Sequence, residues 1–219
     1  MRWFPFVGAV IGLVLGLALR GASEVWTPFL AAGLVVALDL ALTGMLHFDG
    51  LADSADGLLP PIPDRTRRLA IMADPTTGAF GASVIGIVLL LRLGGLASAT
   101  QQPFVIAAIW CASRTLMAVA ALCMTYVRKG GLVTDFLGPN PSRHAAPIAI
   151  VGLTAASALA TAGALVWWRG TAAIVATVLA GVAVLWLAHR RIGGITGDVL
   201  GAAAVVGETA GLLALAAAW

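Results

Sequence analysis

Seven apolar runs, each near the length of a bilayer-crossing helix, dictate what this chain can fold into. They are Phe4 to Leu19, Trp26 to Leu46, Gly78 to Leu93, Phe104 to Val127, Ala146 to Trp168, Ala172 to Ala188 and Val199 to Trp219. A hydrocarbon core about 30 Å thick is crossed by about 20 apolar residues in a helix. Inside it every backbone N–H and C=O must be paired within the segment, which leaves helices as the solution for runs of this length. With 11% charged residues and a mean hydropathy of +0.99, the chain is too apolar for an ordinary soluble domain. The expected fold is all-α: one polytopic membrane-embedded unit over residues 1–219, with about seven transmembrane helices, or six if the first run lies along the interface. The alanine and glycine richness, including Gly12-Leu13-Val14-Leu15-Gly16, is read as close helix packing.

The positive charges orient the bundle. With the N-terminus inside, the inner connections receive Arg2, Arg65, Arg67, Arg68, Arg128, Lys129, Arg143, Arg190 and Arg191, while the outer ones receive Arg20 and Arg169. Nine against two is the bias expected of a cytoplasmic face, and a net charge of +3 therefore needs no nucleic-acid partner. Trp3, Trp26, Trp167, Trp168 and Trp219 fall near run ends, as an interfacial aromatic belt does. Cys111 and Cys123 share one apolar run and read as small buried hydrophobes.

Against this background the stretch from Leu46 to Gly81 stands out. Asp49, Asp53, Asp56, Asp64 and Asp74 make up half of the ten acidic residues. In a helix, Asp49, Asp53 and Asp56 share a face, and three carboxylates so placed need a cation to offset their repulsion. Hard divalent ions such as Mg²⁺ bind carboxylate and phosphate oxygens. Asp49, Asp53 and Asp74 are the first candidate ligands, with Asp56 next, and Asp53, Asp56 and His47 are candidates for acid-base work. Arg65, Arg67 and Arg68 follow closely and suit phosphate, the partner class of metal-assisted phosphoryl transfer. The Pro60-Pro61-Ile62-Pro63 segment ends the first helix, and Asp64 is placed to cap a short interfacial helix from Arg65 to Met72. Its Leu69 and Met72 are expected on one side and Arg65 and Arg68 on the other.

Four charges lie in or near the apolar runs. Asp39, Arg114 and Glu208 call for internal pairing or function. Arg114 either pairs with Asp39 or Glu208 or reaches a substrate phosphate. Arg92, near a run end, is expected to snorkel to the interface. At the last run, Thr196 is placed to cap a helix that Asp198 helps to open, and Gly194 and Thr196 stand where an anion could approach. The glycine- and proline-rich connection from Arg128 to Arg143 could cover a bound substrate.

The runs His47-Phe48-Asp49-Gly50-Leu51-Ala52-Asp53-Ser54-Ala55-Asp56-Gly57 and Ile71-Met72-Ala73-Asp74-Pro75-Thr76-Thr77-Gly78-Ala79-Phe80-Gly81 resemble the signature of the cobalamin (5′-phosphate) synthase family, the adenosylcobinamide-GDP ribazoletransferases. A second block, Gly193-Gly194-Ile195-Thr196-Gly197-Asp198-Val199-Leu200-Gly201-Ala202, resembles another part of it. The resemblance implies that adenosylcobinamide-GDP and α-ribazole, or its 5′-phosphate, are joined to adenosylcobalamin or its 5′-phosphate, with release of GMP. The residues themselves support a Mg²⁺-assisted attack of an alcohol on a diphosphate at the cytoplasmic face of the inner membrane. Asp198, on the same side as Asp49 to Asp74, is expected to share their metal, a bridging water or a substrate phosphate. Two alternatives compete. Asp53-Ser54-Ala55-Asp56-Gly57 is similar to the start of the CDP-alcohol phosphotransferase motif but lacks the rest. A proton-coupled carrier would use Asp39, Arg114 and Glu208 as a path.

The orientation has a direct check. A periplasmic reporter fused after Arg68 is silent if the acidic stretch is cytoplasmic, and an active fusion there reverses the topology.

Overall fold

A computed structural model of the chain describes residues 1–128, 144–163 and 167–217, without the side chains of 161–163 and 167. The connection expected to cover a substrate falls in 129–143, outside the described residues, as do Trp219 and the Trp167 side chain. The helices, in order, are α1 (Phe4–Ala22), α2 (Pro28–Thr43), α3 (Leu46–Leu58), α4 (Arg65–Ile71), α5 (Ala79–Ala97), α6 (Pro103–Cys123), α7 (Ala145–Gly163), α8 (Trp167–Ile192) and α9 (Gly197–Ala216). Five of them (α1, α5, α6, α8 and α9) are long and apolar enough to cross a membrane, and α2 with α3 forms a sixth such unit bent by 90°. With the shorter apolar helix α7, each of the seven apolar runs has its helix, in a multi-pass membrane architecture.

Helix α6 is the central post, buried on nearly all sides and packed by α1, α7, α8 and α9. The first contact is made through small residues. Gly8, Gly12 and Gly16 line one face of α1, and a Cβ added at any of them would sit about 2.5–2.8 Å from Trp110, Ala107, Ile106 or Pro103 of α6. Backbones this close gain the dispersion contacts that hold membrane helices together where lipid offers no hydrophobic drive.

Where the second run was expected to be one helix to Leu46, the chain breaks. Gly44 and Met45 both adopt left-handed backbone, with φ of +59° at each, and α3 leaves at a right angle. Such a conformation is strained for methionine.

The bundle encloses a charge network. Arg92 of α5 is 1% exposed, and its two terminal nitrogens reach Asp39 Oδ2 of α2 at 2.6 Å and Glu208 Oε2 of α9 at 3.1 Å. Arg114 of α6 pairs with Glu208 Oε1, which also accepts from Ser113 Oγ at 2.7 Å. Trp110 Nε1 donates to Asp39 Oδ1 at 3.4 Å, and the Arg92 guanidinium lies 5.0 Å from the Trp110 ring and 5.5 Å from that of Phe48. The expectation that Arg92 snorkels is therefore corrected: two buried carboxylates and an aromatic lining hold it inside. Trp110, off the aromatic belt, serves the same network.

Arg92→Met should destabilise the detergent-solubilised protein by about 3–5 kcal/mol, because it leaves buried carboxylates without their partner. Arg20→Ala, at an exposed position, should shift the melting temperature little. Thermal unfolding of the two variants side by side checks this, and equal melting temperatures would remove the network's structural role.

Candidate active site

One end of the bundle gathers α3, α4, the start of α5, the end of α6 and the turn between α8 and α9. Two short ties hold it. Tyr126 and Ile195 form an isolated parallel bridge, with Val127 N donating to Ile195 O and Ile195 N to Thr125 O, each at 2.9 Å. The Tyr126 hydroxyl accepts from Gly197 N at 3.2 Å. Helix α9 opens under its expected cap, Thr196, whose hydroxyl oxygen accepts from Val199 N at 3.3 Å.

These ties set the first half of the chain against the second. A Cβ at Gly50 would lie 2.7 Å from the carbonyl oxygen of Asp198 and 2.8 Å from its Cα, so only glycine allows α3 to approach α9 this closely. Asp49 and Asp53, flanking Gly50, are thereby brought beside Asp198. The charges acting on Asp53 are those of Asp198, Asp49 and Asp56 on one side and Arg128 on the other. Arg128 Nη1 pairs with Asp198 Oδ2 at 3.1 Å, and Nη2 ties down Met72 O at 3.1 Å. The result is an exposed Asp49, a half-buried Asp53 and a half-buried Asp198, the last paired with Arg128. Among the described residues, no group of three acids, histidines or cysteines stands close enough to enclose a metal ion as placed.

Other expected site residues have different work. Asp56 is buried, and its two carboxylate oxygens accept from Gly78 N at 2.7 Å and Gly81 N at 2.9 Å. It caps the first turn of α5 from another helix, where a negative charge also meets the positive end of the helix dipole. Beside its candidacy as ligand or base it has the work of an anchor. Arg68 does structural work too. It turns inward with Met72, is 1% exposed, and donates to the carbonyls of Gly57 (2.6 Å), Leu58 (3.2 Å) and Pro60 (3.0 Å), pinning the proline turn that ends α3. Asp74 is exposed. Its Oδ1 accepts from Thr76 N at 2.8 Å, and hydrogen bonds from the Thr76 hydroxyl and backbone hold its carboxyl below the usual carboxylate range.

Asp64 caps α4 as expected, accepting from Thr66 N at 3.0 Å and Arg67 N at 3.1 Å. Arg65 is exposed over Gly193, where a Cβ would meet its Nη1 at 2.7 Å, and Gly193 itself is left-handed at φ +74°. Gly194 is buried against Thr125 and Val127. Arg114 is drawn into the charge network, and its Nη2 lies 3.4 Å from His47 Nδ1. Of the expected set, Asp49, Asp53 and Asp198 converge, Arg65 stands over the glycine turn next to that end of α9, and His47 with Arg114 lies one helical turn deeper, against Gly201. Sequence reasoning missed Tyr126 and Arg128 as site residues. The one signal was that Tyr126 is the only tyrosine.

The family described as cobalamin-5-phosphate synthase matches residues 1–216. A protein of Ectopseudomonas mendocina (strain ymp) named adenosylcobinamide-GDP ribazoletransferase is 36% identical over 99% of this chain and 86% of its own length. One of the same name from Chlorobaculum tepidum is 40% identical over 100% of this chain and 85% of its own. Another, from Stutzerimonas stutzeri (strain A1501), is 39% identical over 97% and 84% respectively. No solved structure matches the chain.

Asp56→Ala should cost about 1–3 kcal/mol, the penalty for orphaning buried backbone donors, whereas Asp49→Asn at its exposed site should stay within about 0.5 kcal/mol. Melting temperatures in one detergent decide; a silent Asp56→Ala would remove its anchoring role.

Proposed function

The chain belongs to the cobalamin-5-phosphate synthase family, and from that premise we propose that it joins adenosylcobinamide-GDP to α-ribazole or its 5′-phosphate at the cytoplasmic face of the inner membrane. Membership makes it a membrane-embedded transferase of cobalamin biosynthesis. The observation that carries the finer reading is the convergence of Asp49 and Asp53 with Asp198 across the side-chain-free surface of Gly50. The positive-inside count supports the cytoplasmic placement.

In the proposed reaction, a hydroxyl oxygen of the ribazole forms a bond to the phosphorus on the cobinamide side of the diphosphate. The bond from that phosphorus to the bridging oxygen breaks, and GMP departs with the electron pair. The hydroxyl proton leaves to a carboxylate of the site. Hard oxygen donors of this kind fit Mg²⁺, so Asp49, Asp53 and Asp198 would hold it. When bound, it would neutralise charge on the phosphoryl oxygens and the leaving nucleotide. Arg65, exposed beside the Gly193 turn, is placed to meet the diphosphate; Arg128 holds Asp198 in place.

Competing readings lose their residues. A carrier path through Asp39, Arg114 and Glu208 would need mobile, accessible charges, but all three are buried, Arg92 bridging Asp39 and Glu208 and Arg114 pairing with Glu208 directly. The lipid-directed phosphotransferase reading rested on a motif fragment, and the match of the family over residues 1–216 supersedes it.

Detergent-purified protein given adenosylcobinamide-GDP, α-ribazole and Mg²⁺ should release GMP. Release of CMP from a CDP-lipid, with no GMP, would overturn the reading. Because Thr196 supplies the cap, Asp198→Asn should change stability by less than about 1 kcal/mol while kcat falls by at least about a hundredfold, as when a transition-state interaction is lost. Normal turnover by Asp198→Asn would confine the chemistry to the first half of the chain.

A further inference from the structure

A cavity of about 210 Å³ lies between α1 and the break that separates α2 from α3. Phe4, Val7 and Ile11, on one face of α1, form one wall, and Leu42 and Thr43 at the end of α2 form the other. His47 and Arg114 complete the lining at the buried end. The cavity exists because of the strained pair Gly44-Met45, which swings α3 aside at a right angle and turns His47 inward. An apolar pocket with few convergent polar groups is the usual form of a small-molecule site.

The floor offers a particular chemistry. A guanidinium has donors only, so when Arg114 Nη2 donates across the 3.4 Å to His47 Nδ1 the ring proton is on Nε2. Both groups then present N–H donors only. Thr43 directs its hydroxyl proton to Asp39 O at 2.7 Å and keeps oxygen lone pairs for a ligand hydroxyl. The positive charge of Arg114 is answered by Glu208, and the network it belongs to pairs two guanidiniums with two carboxylates. A balanced floor does not select an anionic headgroup. Apolar walls with N–H donors at the buried end suit a neutral, largely apolar group that carries an acceptor atom. Six residues along α3 separate His47 from Asp53, about 9 Å at the helical rise, a distance suited to a nucleoside whose base and reacting sugar lie at opposite ends.

We propose that this pocket holds the heteroaromatic base of the nucleoside acceptor, with a bare ring nitrogen accepting from His47 or Arg114. The proposal rests on the transferase reading for the identity of the acceptor, and the test separates the two. Val7→Trp fills the pocket from a wall residue that is 47% exposed, so folding should be retained. It should raise the KM for α-ribazole by at least about tenfold and leave that for adenosylcobinamide-GDP within about twofold, the pattern of a lost binding contact on one substrate. Calorimetric titration of the whole detergent-purified chain with 5,6-dimethylbenzimidazole should show binding that Val7→Trp weakens. The dimethylindene analogue, which lacks ring nitrogens, should bind at least about tenfold more weakly, since a site built to donate rejects a ligand that cannot accept. Normal GMP release with an unchanged ribazole KM in Val7→Trp would overturn the pocket and leave the transferase reading standing. Benzimidazole binding that Val7→Trp abolishes, in a protein that releases no GMP, would support the pocket and defeat the transferase reading. Equal rises in both KM values would also overturn it. So would a phosphatidylglycerol-dependent stabilisation that Val7→Trp removes while the ribazole KM stays put, because a lipid would then be the occupant.

Discussion

Everything at the working end of this molecule depends on how four charges are neutralised in the apolar interior. Asp39, Arg92, Arg114 and Glu208 come from α2, α5, α6 and α9, and each is buried. An isolated charge there is costly enough to select against, but two guanidiniums interleaved with two carboxylates, with Ser113 and Trp110 adding donors, satisfy one another. Such a network contributes less to net stability than to register, since any slide of one helix past another leaves a buried charge unpaired. Register is what the site needs. Asp198 lies near the start of the helix that carries Glu208, and His47 follows the bend in the unit that carries Asp39.

The carboxylates divide into two groups by what they accept. Asp39, Asp56, Asp64 and Glu208 are closed, with backbone or side-chain donors on their oxygens. Asp49 and Asp53 are open, while Asp198 takes both Arg128 and the Thr196 hydroxyl (3.3 Å) on Oδ2. Closed carboxylates hold helices in place; open ones repel one another and favour a cation. Gly50 joins the two behaviours, because it lets the backbones of α3 and α9 meet and so forces carboxylates from distant parts of the sequence onto one surface.

Where expectation and structure part, the cause is a long-range partner. Asp56 shares the sequence spacing of Asp49 and Asp53, yet the unpaired N–H groups at the start of α5 capture it across 22 and 25 positions. Arg68 sits in a basic run that topology alone would explain, but the carbonyls exposed by the proline turn draw it inside. Arg92 is near enough to a run end to reach water, and two carboxylates outbid the interface.

The amino-acid sequence by itself determined the all-helical class, the seven apolar runs, the caps at Asp64 and Thr196 and the two blocks that carry the acids. These follow from hydropathy over about 20 residues and from hydrogen bonds spanning two or three positions, so a linear reading reaches them. Tertiary structure decided which charges pair, which acids remain open, and where a pocket forms. Arg92 meets Asp39 across 53 positions and Arg114 meets Glu208 across 94; such choices depend on which helix faces touch. The break at Gly44-Met45 was hidden for the same reason: its apolar residues continue the run, and only the packing of α3 on α5 and α9 outweighs the strain of a left-handed methionine.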